Sequence, residues 1–134
     1  MGTNTSLFSI PIEYKMTTPA HNAKIAKLTF ASVYPHYVAK VERKGKTEQE
    51  LRQVIEWLTG FDWPQQQELI AEKVTFETFF ERANLHPNAS LIKGLICGYR
   101  IEELDNELTK KVRYLDKLVD ELANGKTMEK ILRT

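Results

Sequence analysis

Residues Ser90 to Leu108 read "SLIKGLICGYRIEELDNEL". They hold the chain's one cysteine, Cys97, beside Gly98, with Arg100 and an acidic run after it. Whether this stretch is an active site, a DNA-reading turn or a joint between packed helices decides the fold class. A nucleophilic cysteine needs a lowered pKa from a helix N-terminus or a nearby cation. Cys97 instead closes a run containing Leu91, Ile92, Leu95 and Ile96, where a buried cysteine behaves as a small hydrophobe. As a helix-turn-helix, the stretch would send "RIEELDNEL" into the groove. Glu102, Glu103, Asp105 and Glu107 against one arginine repel phosphate there. A packed joint accounts for more of the residues. Gly94 and Gly98 lie four apart, which on a helix lets a second backbone approach closely, and Gly98 also suits a helix-ending position. The acidic residues suit the first turn of a following helix. Arg100 is then expected in an ion pair with a neighbouring glutamate.

Outward from the joint, the periodicity is helical. Toward the C-terminus, Leu104, Leu108, Val112, Leu115, Val119 and Leu122 mark one long amphipathic helix, stopped by Asn124 and Gly125. "TMEKILR" supplies a short final helix. That long helix is a candidate dimer seam, although a buried core stripe has the same pattern. Toward the N-terminus, Thr75 starts a helix bearing Phe76, Phe79 and Phe80. Asp62 caps another that runs through Leu69 and Ile70, with Pro64 in its first turn. Thr47 and Glu50 form a capping box ahead of Leu51, Val54, Ile55 and Leu58. Phe30, Val33, Tyr34, Tyr37, Val38 and Val41 form one more stripe. Pro35 argues for a start near Ser32, and Gly45 ends the helix. No internal repeat or hairpin signal stands out. The expectation is an all-α, compact single domain of about six helices spanning 27–134.

Residues 1–26 differ in kind, being rich in Thr, Asn and Ser, with Pro11 and Pro19. They read as a loosely attached tail, and Met16 offers an alternative start that would make the preceding residues a leader.

The bulk numbers fit this picture. A chain of 134 residues with 42% hydrophobic and 28% charged side chains folds without disulfide or metal. One cysteine suits a reducing compartment. A net charge of +1 gives no global attraction to nucleic acid or anionic lipid. No apolar run approaches the ~20 residues that span a bilayer. A cytoplasmic protein is expected.

Few residues point to chemistry. His36 and Tyr37, with Arg100, are candidate polar groups of an aromatic-lined pocket, either for a small ligand or for an enzyme's substrate. "KVERKGK", with Lys40, Arg43, Lys44 and Lys46, suggests weak nucleic-acid binding, but it is short and also suits a helix C-terminus. Trp63, in "EWLTGFDWP", is the candidate partner contact. Three histidines without metal-ligand spacing signal no metal, and no Walker loop, dinucleotide glycine motif or G-x-S-x-G elbow implies a cofactor or hydrolase. The leading expectation is a protein-interaction or self-associating module, either with a protein partner or as a homodimer.

Five phrases, "TFASVYPHYVAKVERKGKT", "VIEWLTGFD", "FETFFERA", "SLIKGLICGYRIEEL" and "VRYLDKLVDELANGKTMEKILR", resemble in order and spacing the bacterial domain-of-unknown-function family 2200. The likeness runs from about Lys27 to Arg133. Family members tend to have tyrosine at the position of Phe61 and proline at that of Glu107, so the start of the long helix is expected to be less fixed here. The resemblance implies a small, soluble bacterial cytoplasmic protein and brings no activity, cofactor or catalytic residue with it.

Overall fold

The computed structural model describes residues 17–134. Their element order is α1 (Pro19–Lys27), α2 (Phe30–Arg43), α3 (Glu48–Thr59), α4 (Trp63–Ala71), α5 (Phe76–Arg82), a 3-10 turn (Pro87–Leu91), β1 (Leu95–Ile96), β2 (Tyr99–Arg100), a second 3-10 turn (Ile101–Glu103), α6 (Glu107–Ala123) and α7 (Met128–Ile131). The described residues thus form a mostly helical domain with one small antiparallel hairpin.

Side-chain caps set most helix starts. Thr47 and Glu50 make both bonds of the expected capping box, and Asp62 and Gln65 make a second. Asn106 fixes α6 by accepting from the Thr109 N–H at 2.9 Å. That cap fixes the start of the helix, with Glu107 favourably placed in the positive first turn.

α6 is the axis of the domain and packs against α1, α2, α3, α5, α7 and the hairpin. Its Leu115, Leu118, Val119 and Leu122 are almost fully buried, together with Phe30, Phe76, Phe79, Leu51, Ile55 and Leu58 from the surrounding helices. The phenylalanines of α5 meet Phe30 and Phe61 in edge-on and tilted contacts with centroids 4.5–6.5 Å apart. The stripe expected as a dimer seam is therefore this chain's own core.

Four expectations need correction. First, α2 starts at Phe30 rather than near Ser32, so Pro35 is its sixth residue. The start is set by the Thr29 cap and by a bridge between Thr29 and Thr75, in which the Phe30 N–H donates to Val74 and the Phe76 N–H to Leu28. Those bonds outweigh the one that the proline lacks. Second, residues 19–26, expected in the tail, belong to α1. Thr18 caps it, Pro19 occupies its first position, and Ile25 is buried. The rest of the expected tail, through residue 16, lies outside the described residues, as does the alternative start at Met16.

Third, residues 94–100 are a hairpin, not the meeting of two helices. Leu95 pairs with Arg100 and Ile96 with Tyr99, which leaves Cys97 and Gly98 as a two-residue loop. Both have positive φ, 53° and 84°, the requirement of a type I′ turn. Gly98 is needed because a β-carbon is strained in that region. Cys97 is consequently exposed rather than packed. Fourth, the acidic residues Glu102 and Glu103 occupy the second 3-10 turn, and only Glu107 lies in the first turn of α6.

Candidate functional site

The pleat of the hairpin sorts its side chains. Directly paired residues on antiparallel strands share a face, and successive residues alternate. Ile96 is buried, so its partner Tyr99 shares the inward face; Leu95 and Arg100 share the other, with Leu95 43% exposed. Arg100 meets Glu102 at 3.8 Å, which agrees with the expected ion pair. A half-exposed pair at that distance contributes little.

Tyr99 instead covers Arg113 of α6, with the guanidinium carbon 4.9 Å from its ring centre. Arg113 is only 8% exposed. One of its terminal nitrogens donates to Asp116 Oδ2 at 2.8 Å, and another lies 3.5 Å from His21 Nε2 on α1. Arginine only donates, so Nε2 is the accepting nitrogen. The Tyr99 hydroxyl lies 3.3 Å from the same nitrogen, and the two rings stack with centroids 5.6 Å apart. Arg113 Nε is buried and has no partner among the described residues.

Tyr37 enters this network from α2. It is 7% exposed, and its hydroxyl donates to Asp116 Oδ1 at 2.6 Å. Burial, reinforced by the negative charge of Asp116 and by this bond, holds the phenol well above its ordinary pKa. Thr109 continues the network one turn earlier, donating to Asn22 of α1 at 2.7 Å. One row of polar side chains on α6 therefore fastens α1, α2 and the hairpin together.

The three pocket candidates are distributed differently. Tyr37 uses its hydroxyl on Asp116, His36 is exposed on α2, and Arg100 lies on the outer face of the hairpin. Among five clefts on the described surface, none is lined by any of the three. Trp63 is half-buried at the start of α4. The Arg52 guanidinium lies 3.6 Å over its ring, and Tyr34 stacks beside it at 5.8 Å. Tyr34 donates to Glu48 at 2.7 Å, and its pKa is pushed up to about 12 by burial and by that bond. Of the basic run, Lys40 pairs with Asp120 at 3.1 Å, while Arg43 and Lys44 are exposed.

Sequence reasoning missed His21, Arg113 and Asp116. Only Arg113 and Asp116 left a trace, as charges three apart flanking Val112 and Leu115 on a helix otherwise read for its apolar stripe. Among the described residues no three His, Cys, Asp or Glu side chains gather to hold a metal ion. No helix there is long and apolar enough to cross a membrane.

The fold and its polar network define a mostly helical domain with a hairpin clipped to its longest helix. The chain belongs to the DUF2200 family, described as an uncharacterized protein conserved in bacteria, whose model matches residues 24–133. It is also similar to a solved structure, that of uncharacterized protein SP1917, with 44% identity and a TM-score of 0.76. The match covers 81% of this chain and 90% of that one. No curated protein matches the chain.

Proposed function

We propose that this chain is a self-associating module that pairs with a second copy through the outer face of its hairpin. The observation that carries this reading is the exposure of Leu91 and Leu95, 54% and 43%, where most other large apolar side chains are buried or half-buried. Leu28, at 36%, is the other exception among the described residues. The hairpin presenting Leu95 is not loose. Tyr99 ties it to Arg113 and His21, and Lys117 donates to the Leu95 carbonyl at 3.1 Å. An apolar side chain on a fixed hairpin loses little entropy on docking.

The charges around it favour a second copy over an unrelated partner. Lys93 and Arg100 stand beside Glu102 and Glu103, so the patch carries both signs. A patch of both signs allows self-complementary pairing about a two-fold axis, with the Lys93 of one copy facing a glutamate of the other in the proposed dimer.

Sedimentation velocity from about 1 to about 100 µM tests the reading, a range that covers micromolar association. Wild type is expected to dimerise, and Leu91→Glu/Leu95→Glu to stay monomeric with an unchanged thermal melt, because both leucines are already exposed. A wild type that stays monomeric across the range, or a double variant that still dimerises, overturns it.

Two other readings have less support. A small-ligand role through Arg100, His36 and Tyr37 draws no support from the five clefts above, none of which they line. Nucleic-acid binding through Lys40, Arg43, Lys44 and Lys46 is weakened by the Lys40–Asp120 pair. At Trp63, the expected partner contact, Arg52 and Tyr34 already cover part of the ring.

A further inference from the structure

A cleft of about 490 Å³ opens where α6 ends, and Lys117, Lys126 and Lys130 line it alongside Asp120 and Glu121. Both carboxylates are paired from outside the cleft, and Glu121 also takes the lining Lys126. Lys40 of α2 reaches Asp120 at 3.1 Å, and Arg133 reaches Glu121 at 2.7 Å. The three lining lysines therefore leave a local surplus of positive charge on a chain whose net charge is only +1. The negative end of the α6 dipole opposes part of it, while the Gly125 and Lys126 N–H groups bond the carbonyls of Leu122 and Glu121.

Two of the three ammonium groups are held in place. Lys117 is fixed by the Leu95 carbonyl at 3.1 Å, and Lys126 by Glu121 Oε2 at 3.2 Å. Lys130, on α7, is exposed. Lysines from α6, the following turn and α7 line one cleft, and ammonium groups gathered along one wall are point charges that attract a phosphate dianion. Asn124 and Thr127 add neutral hydrogen-bonding groups along the same wall, and the Thr127 hydroxyl makes no cap bond to its own helix. The volume falls within the range of small-molecule sites and exceeds what a bare phosphate fills.

We infer that this cleft binds a small phosphate ester with a hydroxylated organic part, its phosphate on Lys117, Lys126 and Lys130. Lys117 touches both this cleft and the hairpin through the Leu95 carbonyl, but Lys126 and Lys130 do not, so variants at those two test the cleft independently of the apolar face.

The test is an amide-resolved NMR titration of the full chain with glycerol 3-phosphate, with inorganic phosphate and glycerol run in parallel. The expected result is saturable shifts centred on Gly125, Lys126 and Thr127, weaker with inorganic phosphate and absent with glycerol. Lys126→Gln/Lys130→Gln is expected to weaken binding about tenfold, equivalent to 1.4 kcal/mol. Because both lysines lie at the surface, the rest of its spectrum should be unchanged, and Lys126→Arg/Lys130→Arg should recover most of the affinity. Shifts that never saturate, that fall equally on Lys44 and Lys46, or that survive in the Gln variant would mark a generic counter-ion effect and overturn the inference. So would shifts produced equally by glycerol. Binding only to vesicles containing phosphatidic acid, with no response to the free ester, would overturn it in favour of a membrane surface.

Discussion

Removing one oxygen from Tyr37 measures what the polar row on α6 contributes. In Tyr37→Phe the ring still fills its place in the core, while Asp116 Oδ1 loses a 2.6 Å donor. Asp116 keeps Arg113 on its other oxygen, so its charge stays paired. Its side chain is only 17% exposed, so water replaces the lost donor incompletely. A hydrogen bond to a charged acceptor is worth about 1.5–3 kcal/mol, and partial rehydration puts the expected loss near 2 kcal/mol. At roughly 2 cal/mol/K of unfolding entropy per residue, a domain of this size should melt about 7 °C lower.

Calorimetry at neutral pH reads that shift, and a cycle with Asp116→Asn assigns it, since the two losses should be strongly non-additive. Alkaline pH gives an independent check. Tyr37 has a folded pKa raised above the ordinary 10.0, so the fold favours the neutral phenol. Its stabilisation is complete below pH 10 and is lost as pH rises toward the folded value. The stability gap between wild type and Tyr37→Phe should therefore narrow above pH 10. A melting shift under about 1 °C, or additive losses in the cycle, would show that the bond contributes little and refute this account of the network.

Two further outcomes follow from local geometry. Gly98→Ala should cost about 1 kcal/mol and Cys97→Asn should gain a few tenths, because asparagine tolerates positive φ better than cysteine; urea midpoints at constant slope would show both. Tyr34, whose pKa is pushed up to about 12 by burial and by its bond to Glu48, should add its own alkaline loss of stability between roughly pH 10 and 12. The difference between wild-type and Tyr34→Phe melts across that window isolates it, and a constant difference would contradict the assignment.

The helices were legible wherever a capped start met an apolar stripe, as with Thr47 and Glu50 ahead of Leu51, Val54 and Ile55. The hairpin was not. Strands of two residues are too short for alternation to register, and Cys97–Gly98 is a poor imitation of the Asn-Gly that announces a type I′ turn. α1 left a readable signal that its polar surroundings obscured: Thr18 and Pro19 are an N-cap followed by proline in the first position. The polar network was illegible for a different reason. Charges flanking an apolar stripe usually face water, and nothing local tells that His21, Tyr99 and Tyr37 will close over Arg113 and Asp116 from three separate elements.

That arrangement explains why so few residues hold so many parts of the domain. Along α6, Thr109, Arg113, Asp116 and Asp120 recur at spacings of four, three and four, with Lys117 and Glu121 one position on from the last two. Steps of three and four keep side chains on one side of a helix. Every one of these residues holds a different segment or helps another do so. Thr109 takes Asn22 of α1, Arg113 and Asp116 take the hairpin and α2, Lys117 takes Leu95, Asp120 takes Lys40, and Glu121 takes Arg133 near the C-terminus. The apolar stripe of α6 supplies bulk burial, which is tolerant of how neighbouring helices are rotated. The polar row is directional and is not. α6 therefore has two jobs on adjacent faces: one collapses the domain, and the other sets where the hairpin, and with it Leu95, comes to rest.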